Sequence, residues 1–117
     1  MATASEPNFI QSYGDGGFRI GGETYTGSVI VLRDAVHPWP VSDFSDITAD
    51  RFNILSEPGI LLIGTGETMS FLDPELRAAL SARVLTADAM NTGAACRTFN
   101  VLLAEDRAVF AALIAKA

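Results

Sequence analysis

Short runs of apolar residues, separated by polar segments rich in glycine and proline, set the pattern of this chain. Residues 28–32 and 60–63 are apolar and mostly β-branched or leucine, which is typical of buried strands. Residues 84–86 and 99–104 are also mainly apolar, the first run being shorter and the second containing one polar residue, Asn100. We therefore predict four strands that belong to one sheet.

Helical patterns lie between and after these runs. Thr48 can cap a short helix that carries Phe52 and Leu55 on one face. Asp73 begins a second helix, because its carboxylate can accept an unpaired backbone N–H and Pro74 tolerates the first helical position.

Two more helices are predicted over residues 88–97 and 106–115, the last with Val109, Phe110 and Leu113 on one face. Strand and helix then alternate four times. Such alternation favours an α/β fold, a compact three-layer domain with a mainly parallel central sheet and helices packed on it.

An N-terminal β-hairpin flanks this sheet. Gly21 and Gly22 separate residues 18–20 from residues 23–25, and two glycines supply the positive φ angles of a tight turn. Residues 1–8 are small and polar without periodicity, so we predict a flexible tail over 1–8 and a single α/β domain over 9–117.

Composition narrows the function classes. The chain has 117 residues and 49% hydrophobic content, which suits one domain with one core, and its net charge of −6 disfavours nucleic acid as a partner. The apolar runs are too short to cross a bilayer, and the first dozen residues lack Lys and Arg. We predict a soluble, cytoplasmic protein without membrane insertion.

The candidate site follows from the predicted strand ends. Gly64, Thr65 and Gly66 end one strand, while Asn91 and Thr92 lie near another, with Arg97 five residues after Thr92. Open parallel sheets bind ligands or partner loops at the carboxyl ends of their strands. We predict a cleft there with Arg97 as an anion contact, although capping and surface solvation explain the same polar residues.

Two nucleotide motifs are incomplete. The glycines at 64 and 66 resemble a dinucleotide fingerprint, and Asp88 lies where a ribose-binding acid is expected, but Met69 replaces the third glycine. The glycine-rich segment 14–17 lacks the Lys-Ser or Lys-Thr of a phosphate loop. Tight turns are the favoured interpretation of both segments, so no cofactor is predicted.

Single reactive residues give little chemistry. Ala89, Gly93 and Cys96 recur at helical spacing, which predicts a small face against the sheet and a buried, unreactive Cys96. With His37 as the one histidine, we predict no metal site and name no catalytic residues. Trp39, between two prolines, is a possible interface anchor or, equally, a lid over the core.

Six segments of the chain match a known family in combination and order: residues 13–20, 25–29, 39–40, 64–66, 90–92 and 95–102. Together they resemble the Mth-type uncharacterised domain family, the bacterial and archaeal relatives of the mitochondrial complex I assembly factor three. The resemblance implies a three-layer α/β fold with a β-rich flank. It also implies binding to other proteins, such as membrane-complex subunits or assembly factors.

Two functions therefore stay open. The first is a non-catalytic binding or assembly module, which the resemblance implies and the incomplete motifs favour. The second is a small-molecule-binding protein or enzyme that uses the cleft at residues 64–66 and 91–92.

Overall fold

Residues 7–115 are described in a computed structural model of the chain. Two α-helices lie within this range, together with two short 3₁₀ turns at Phe44–Asp46 and Ala49–Phe52. The helices are α1 (Pro74–Ala82) and α2 (Thr92–Ala104). The strands are β1 (Ile10–Gly14), β2 (Gly17–Ile20), β3 (Glu23–Thr26), β4 (Val29–Val31), β5 (Val36–Pro38), β6 (Gly59–Gly64), β7 (Leu85–Met90) and β8 (Val109–Leu113).

These strands form a three-stranded sheet in the order β1-β2-β3 and a five-stranded sheet in the order β5-β4-β8-β6-β7. In the described residues, four strand pairs are antiparallel and two, β6 with β7 and β6 with β8, are parallel. The prediction of a mainly parallel sheet is therefore wrong. The reason is that β4 turns straight back into β5, with Leu32 N donating to Ala35 O at 2.8 Å, instead of crossing over through a helix.

The five-stranded sheet is covered on both faces, as the three-layer prediction requires. Along β6, Leu61 and Ile63 join the core on one face and Leu62 joins the core on the other. The first face is covered by α1 and the two 3₁₀ turns, and the second by α2 and the three-stranded sheet. The fold is thus a compact α/β domain with mixed sheets.

The C-terminal third differs most from the predicted elements. Residues 99–104, predicted as a strand, lie inside α2, and residues 109–113, predicted as a helix, form β8. Helix α2 also begins four residues later than predicted, because β7 continues to Met90. The buried positions Ala95, Cys96, Phe99 and Leu103 have helical spacing, so one face of α2 packs on the sheet.

The local signals at the Gly21-Gly22 turn and at the start of α1 are confirmed. Gly21 and Gly22 have φ angles of 56° and 87° between β2 and β3. Asp73 caps α1 by accepting a hydrogen bond from Glu75 N at 3.2 Å. The helix predicted after Thr48 is only a 3₁₀ turn, since the Thr48 hydroxyl bonds to the Asp50 carboxylate and makes no cap bond to the backbone.

The ends of the chain are described only in part. Residues 1–6, most of the predicted tail, lie outside the described residues, whereas Asn8 N donates to Arg33 O at 3.0 Å. The boundaries of the single domain stay a prediction. In the range 7–115, no helix is both long and apolar enough to cross a membrane.

Candidate functional site

The parallel strands β6, β7 and β8 end together at Gly64, Met90 and Leu113, an edge that we call the carboxyl edge. The sequence-predicted residues 64–66 and 91–92 meet there. Thr92 N donates to Gly66 O at 2.8 Å, and Gly66 N donates to Thr92 Oγ1 at 2.9 Å. The structure therefore brings the two predicted segments together.

Thr92 connects three chain segments at this edge. Its hydroxyl accepts the hydrogen bond from Gly66 N and donates one of 2.8 Å to Ile114 O, just after β8. The side chain is fully buried, at 0% exposure. Because each polar group of Thr92 is satisfied inside the protein, its position has a structural explanation.

Thr65 shapes the loop that follows β6. Its backbone N donates to Met90 O at 2.8 Å, and its hydroxyl donates to Thr68 O at 2.6 Å and accepts from Ser70 N at 3.1 Å. This buried hydroxyl thus closes the turn over residues 65–70, in the way that a side chain often replaces a backbone partner in loops.

Glycine is favoured at positions 64 and 66 for two different structural reasons. A Cβ on Gly64 would lie 3.0 Å from Thr92 Cα, so glycine allows β6 to pass close to the start of α2. Gly66 has a φ angle of +100°, which favours glycine. Both observations favour the tight-turn interpretation over a nucleotide fingerprint.

Asn91 caps α2, with Oδ1 accepting a hydrogen bond of 2.8 Å from Ala94 N. Arg97 lies on the exposed side of α2 that borders β1, where Nη1 donates to Tyr13 Oη at 3.2 Å. Asp106, which lies near the end of α2, forms an ion pair with Arg33 at 2.9 Å.

Trp39 lies in the core, with 3% of its surface exposed. Its Nε1 donates to Arg51 O at 2.9 Å, and its ring centroid is 5.5 Å from that of Phe52. The indole therefore closes the core beneath the 3₁₀ turns and is not an exposed anchor.

Two exposed apolar side chains at the carboxyl edge were not identified from the sequence. We call residues 67–72 the edge loop. Phe71 is 82% exposed and Met69 is 44% exposed, while Leu72 between Phe71 and α1 is buried. The sequence did contain a signal for this surface. Two large apolar residues, Met69 and Phe71, follow the predicted turn at Gly66, where small or polar residues are expected.

An open depression of about 410 Å³ separates the edge loop from residues 42–44. Phe44 and Ile114 contribute apolar surface to it, and Asp43 and Glu67 contribute carboxylates. Hydrogen bonds from the side chain and the backbone N of Ser45 lower the pKa of Asp43 below its usual value, so this carboxylate is ionised at neutral pH.

Two further polar residues that sequence reasoning missed hold the fold around the site. Arg83 donates to the carbonyl oxygens of Ala49, Phe52 and Leu55, which fixes the segment that contacts Trp39. Asn100 forms two hydrogen bonds with the backbone of Ile10 and so fastens β1 to α2. Asn100 lies in the family-matching segment 95–102 but had no assigned role, and Arg83 belongs to no recognisable motif.

Cys96 is buried at 2% exposure, as predicted, while its reactivity stays a prediction. The prediction that Ala89, Gly93 and Cys96 share one helix face is wrong, since Ala89 lies in β7 and only Gly93 lies in α2 with Cys96. Among residues 7–115, no group of three or more His, Cys, Asp or Glu side chains is arranged to hold a metal ion.

Comparisons with known proteins agree with this fold. An uncharacterised protein from Rhodobacter capsulatus is 37% identical over 114 residues, which cover 93% of this chain and 90% of that protein. The solution structure of a Bordetella pertussis protein described as an Mth938-like domain superposes with a TM-score of 0.80 at 30% identity, covering 97% of this chain and 92% of that one.

A longer relative is the NADH dehydrogenase [ubiquinone] 1 alpha subcomplex assembly factor 3 of Xenopus tropicalis, which is 34% identical over 115 residues. The alignment covers 95% of this chain but only 63% of that factor. A family model described as a protein of unknown function (DUF498/DUF598) matches residues 10–114. The chain therefore belongs to the DUF498/DUF598 family, as the resemblance in its sequence implied.

Proposed function

We propose that this protein is a non-catalytic binding module that helps other proteins assemble, and that its partners bind at the carboxyl edge. The observation that carries the proposal is the edge loop, where Phe71 and Met69 are exposed and their sequence neighbours Thr68 and Ser70 line an open depression. Large apolar side chains that are grouped on a surface often mark protein interaction sites.

The relatives support the same class of function. The frog relative is named as an assembly factor for NADH dehydrogenase, and this chain aligns with about 63% of its length. By this analogy the partners of the present protein are subunits of a membrane complex or other assembly factors. A cytoplasmic location belongs to the same proposal.

The alternative is a small-molecule-binding protein or enzyme that uses the same edge. Its support is the depression of about 410 Å³ and the convergence of residues 64–66 with residues 91–92. The hydroxyls of Thr65 and Thr92, however, are buried and bonded to backbone groups of the protein itself. These groups support structure more than ligand binding, so we place protein binding first.

The test is affinity capture of the tagged full chain from cells of the source organism, followed by quantitative mass spectrometry. Phe71→Ser should lower the recovery of the specific partner by about tenfold or more, since a buried aromatic anchor commonly contributes 2 kcal/mol or more to binding. Val101→Ser is the matched control, because Val101 is also exposed, at 57%, but lies near the C-terminal end of α2.

Equal recovery with Phe71→Ser and the wild-type chain would place the binding surface elsewhere. Equal losses with Phe71→Ser and Val101→Ser would show that the effect is not specific to the edge loop. Far-UV circular dichroism and thermal unfolding of each variant verify that the fold is retained.

A further inference from the structure

The edge loop carries its exposed side chains on a fixed base. Leu72 is 6% exposed and belongs to the core cluster on the α1 face, and Thr65 Oγ1 accepts a hydrogen bond of 3.1 Å from Ser70 N. Phe71 lies between these two fixed points and remains 82% exposed. Covering a phenylalanine side chain yields about 1.5–3 kcal/mol, so this loop presents a ready contact to an apolar partner group.

The depression beside the loop continues toward Trp39. A second depression of about 300 Å³, lined by Trp39 and Pro40, shares Ser42 and Ala115 with the first. Together they form a shallow trough along the carboxyl edge. An extended or helical segment of a partner fits such a trough better than a compact ligand, because the trough is open along its length.

The charged residues that line this trough, among those the structure describes, are all acidic. Asp43 and Glu67 line it, both exposed, whereas no Lys or Arg is among the described residues that line either depression. Lys116, which follows Ala115 in the sequence, lies outside the described residues. The chain as a whole has a net charge of −6, so a cationic partner is favoured over long range as well.

We infer that the trough and the adjoining edge loop bind one partner segment in which apolar side chains are flanked by Lys or Arg. Phe71 and Met69 lie next to Ser70 and Thr68, which line the trough, so apolar groups of the segment would cover them while its cations face Asp43 and Glu67. This inference rests on the proposed function and adds the chemistry of the partner to it. Opposite charges at the rim of an interface mainly raise the association rate and select against acidic partners.

The test is a selection of random peptides displayed on phage against the immobilised full chain, with counter-selection on Phe71→Ser. The peptides that are enriched should contain aromatic or aliphatic residues next to Lys or Arg. The binding of one enriched synthetic peptide should weaken by about tenfold in Asp43→Lys/Glu67→Lys, because like charges then face each other. Raising the salt concentration should weaken its binding to the wild-type chain as well.

The matched control is Asp34→Lys/Glu57→Lys, which makes the same change in net charge at a different depression, between Leu32 and Phe110. The peptide should bind this control as it binds the wild-type chain. Enriched peptides that are neutral or acidic, equal weakening in both charge variants, or no enrichment over the Phe71→Ser background would overturn the inference.

The two proposals fail in different ways. If Phe71→Ser loses the cellular partner while Asp43→Lys/Glu67→Lys retains it, the proposed function stands and the cationic partner is wrong. If Phe71→Ser retains the cellular partner, the carboxyl edge is not the binding surface and both proposals fail.

Discussion

Two neighbouring parts of the carboxyl edge use their residues in opposite ways. Around Thr92, polar groups are buried and every hydrogen bond is made within the protein, whereas five residues downstream of Gly66 a phenylalanine is exposed to solvent. The first part joins β6, α2 and β8, and the second is the edge loop. Polar residues at the end of a sheet are therefore not by themselves evidence of a functional site. Exposed large apolar residues beside them are the more informative observation.

The comparison predicts that the region around Thr92 controls stability and not binding. Thr92→Val keeps the shape of the side chain but leaves Gly66 N and Ile114 O without partners. We expect the free energy of unfolding to fall by about 3 kcal/mol, since each buried polar group without a partner costs 1–3 kcal/mol. Urea unfolding followed by circular dichroism measures this change.

Thr92→Ser is the control for this substitution. It retains the hydroxyl and removes one methyl group, so we expect a loss of about 1 kcal/mol. If Thr92→Val changed stability no more than Thr92→Ser, the hydrogen bonds of Thr92 would not be what joins the three segments.

The close approach of β6 to α2 gives the next largest effect. In Gly64→Ala the added Cβ would lie 3.0 Å from Thr92 Cα, a backbone atom that has little room to move. We expect a loss of about 2 kcal/mol in the free energy of unfolding, as is usual for overpacking in a core. Thermal and urea unfolding measure it.

Gly93→Ala sharpens the comparison, because its Cβ would also meet a close neighbour, Tyr13 Oη at 2.6 Å. That atom ends a flexible side chain that is 38% exposed, and alanine favours the helix over glycine by about 1 kcal/mol. Gly93→Ala should therefore cost less than Gly64→Ala. The reverse order would mean that the contact of Tyr13 with α2 is the more rigid of the two.

In the edge loop the same measurement should show almost no change. Met69→Ser/Phe71→Ser removes exposed side chains, so we expect the free energy of unfolding to stay within about 0.5 kcal/mol of the wild-type value. Leu72→Ala, next to Phe71 but buried, should cost about 3 kcal/mol. A large loss from the double serine variant would show that the loop is part of the core and not a binding surface.

Local signals in the sequence were sufficient for part of this architecture. The turn at Gly21 and Gly22, the cap at Asp73 and the central strand β6 each depend on a few adjacent residues, and all are confirmed. The contact between Gly66 and Thr92 was also predicted. That prediction needed only the two strands that end at these segments, and it did not depend on the strands that were assigned wrongly.

The errors arose where tertiary burial outweighs local preference. Residues 109–113 contain two alanines and have an apolar pattern that a helix also fits, yet they lie between β4 and β6 with both faces covered. A short apolar run does not distinguish a buried strand from a helix. Exposure is likewise not encoded locally, which is why Phe71 was missed and why the sequence left Trp39 open as an interface anchor or a lid over the core.

The smallest expected effect is a change in one pKa at the rim of the trough. The pKa of Asp43 is lowered chiefly by the hydrogen bond from Ser45 Oγ, at 2.5 Å, and next by that from Ser45 N. Because the folded-state pKa lies below 3.8, this contact stabilises the fold above that pH, and its contribution is lost as the pH falls through the lowered pKa. Ser45→Ala should raise the pKa of Asp43 toward 3.8, which carbon-13 NMR titration of the carboxyl group measures.

Thr48→Val provides the comparison, because the Thr48 hydroxyl lowers the pKa of Asp50 in the same way, and Asp50 lines neither depression of the trough. Both substitutions should raise the pKa of their own carboxyl group. If a cationic segment binds the trough, lowering the pH toward 4 should weaken the binding of the selected peptide more in Ser45→Ala than in Thr48→Val, since only Ser45→Ala raises the pKa of a carboxyl group in the trough. Equal pH dependence of peptide binding in both variants would show that Asp43 does not contribute to the binding surface.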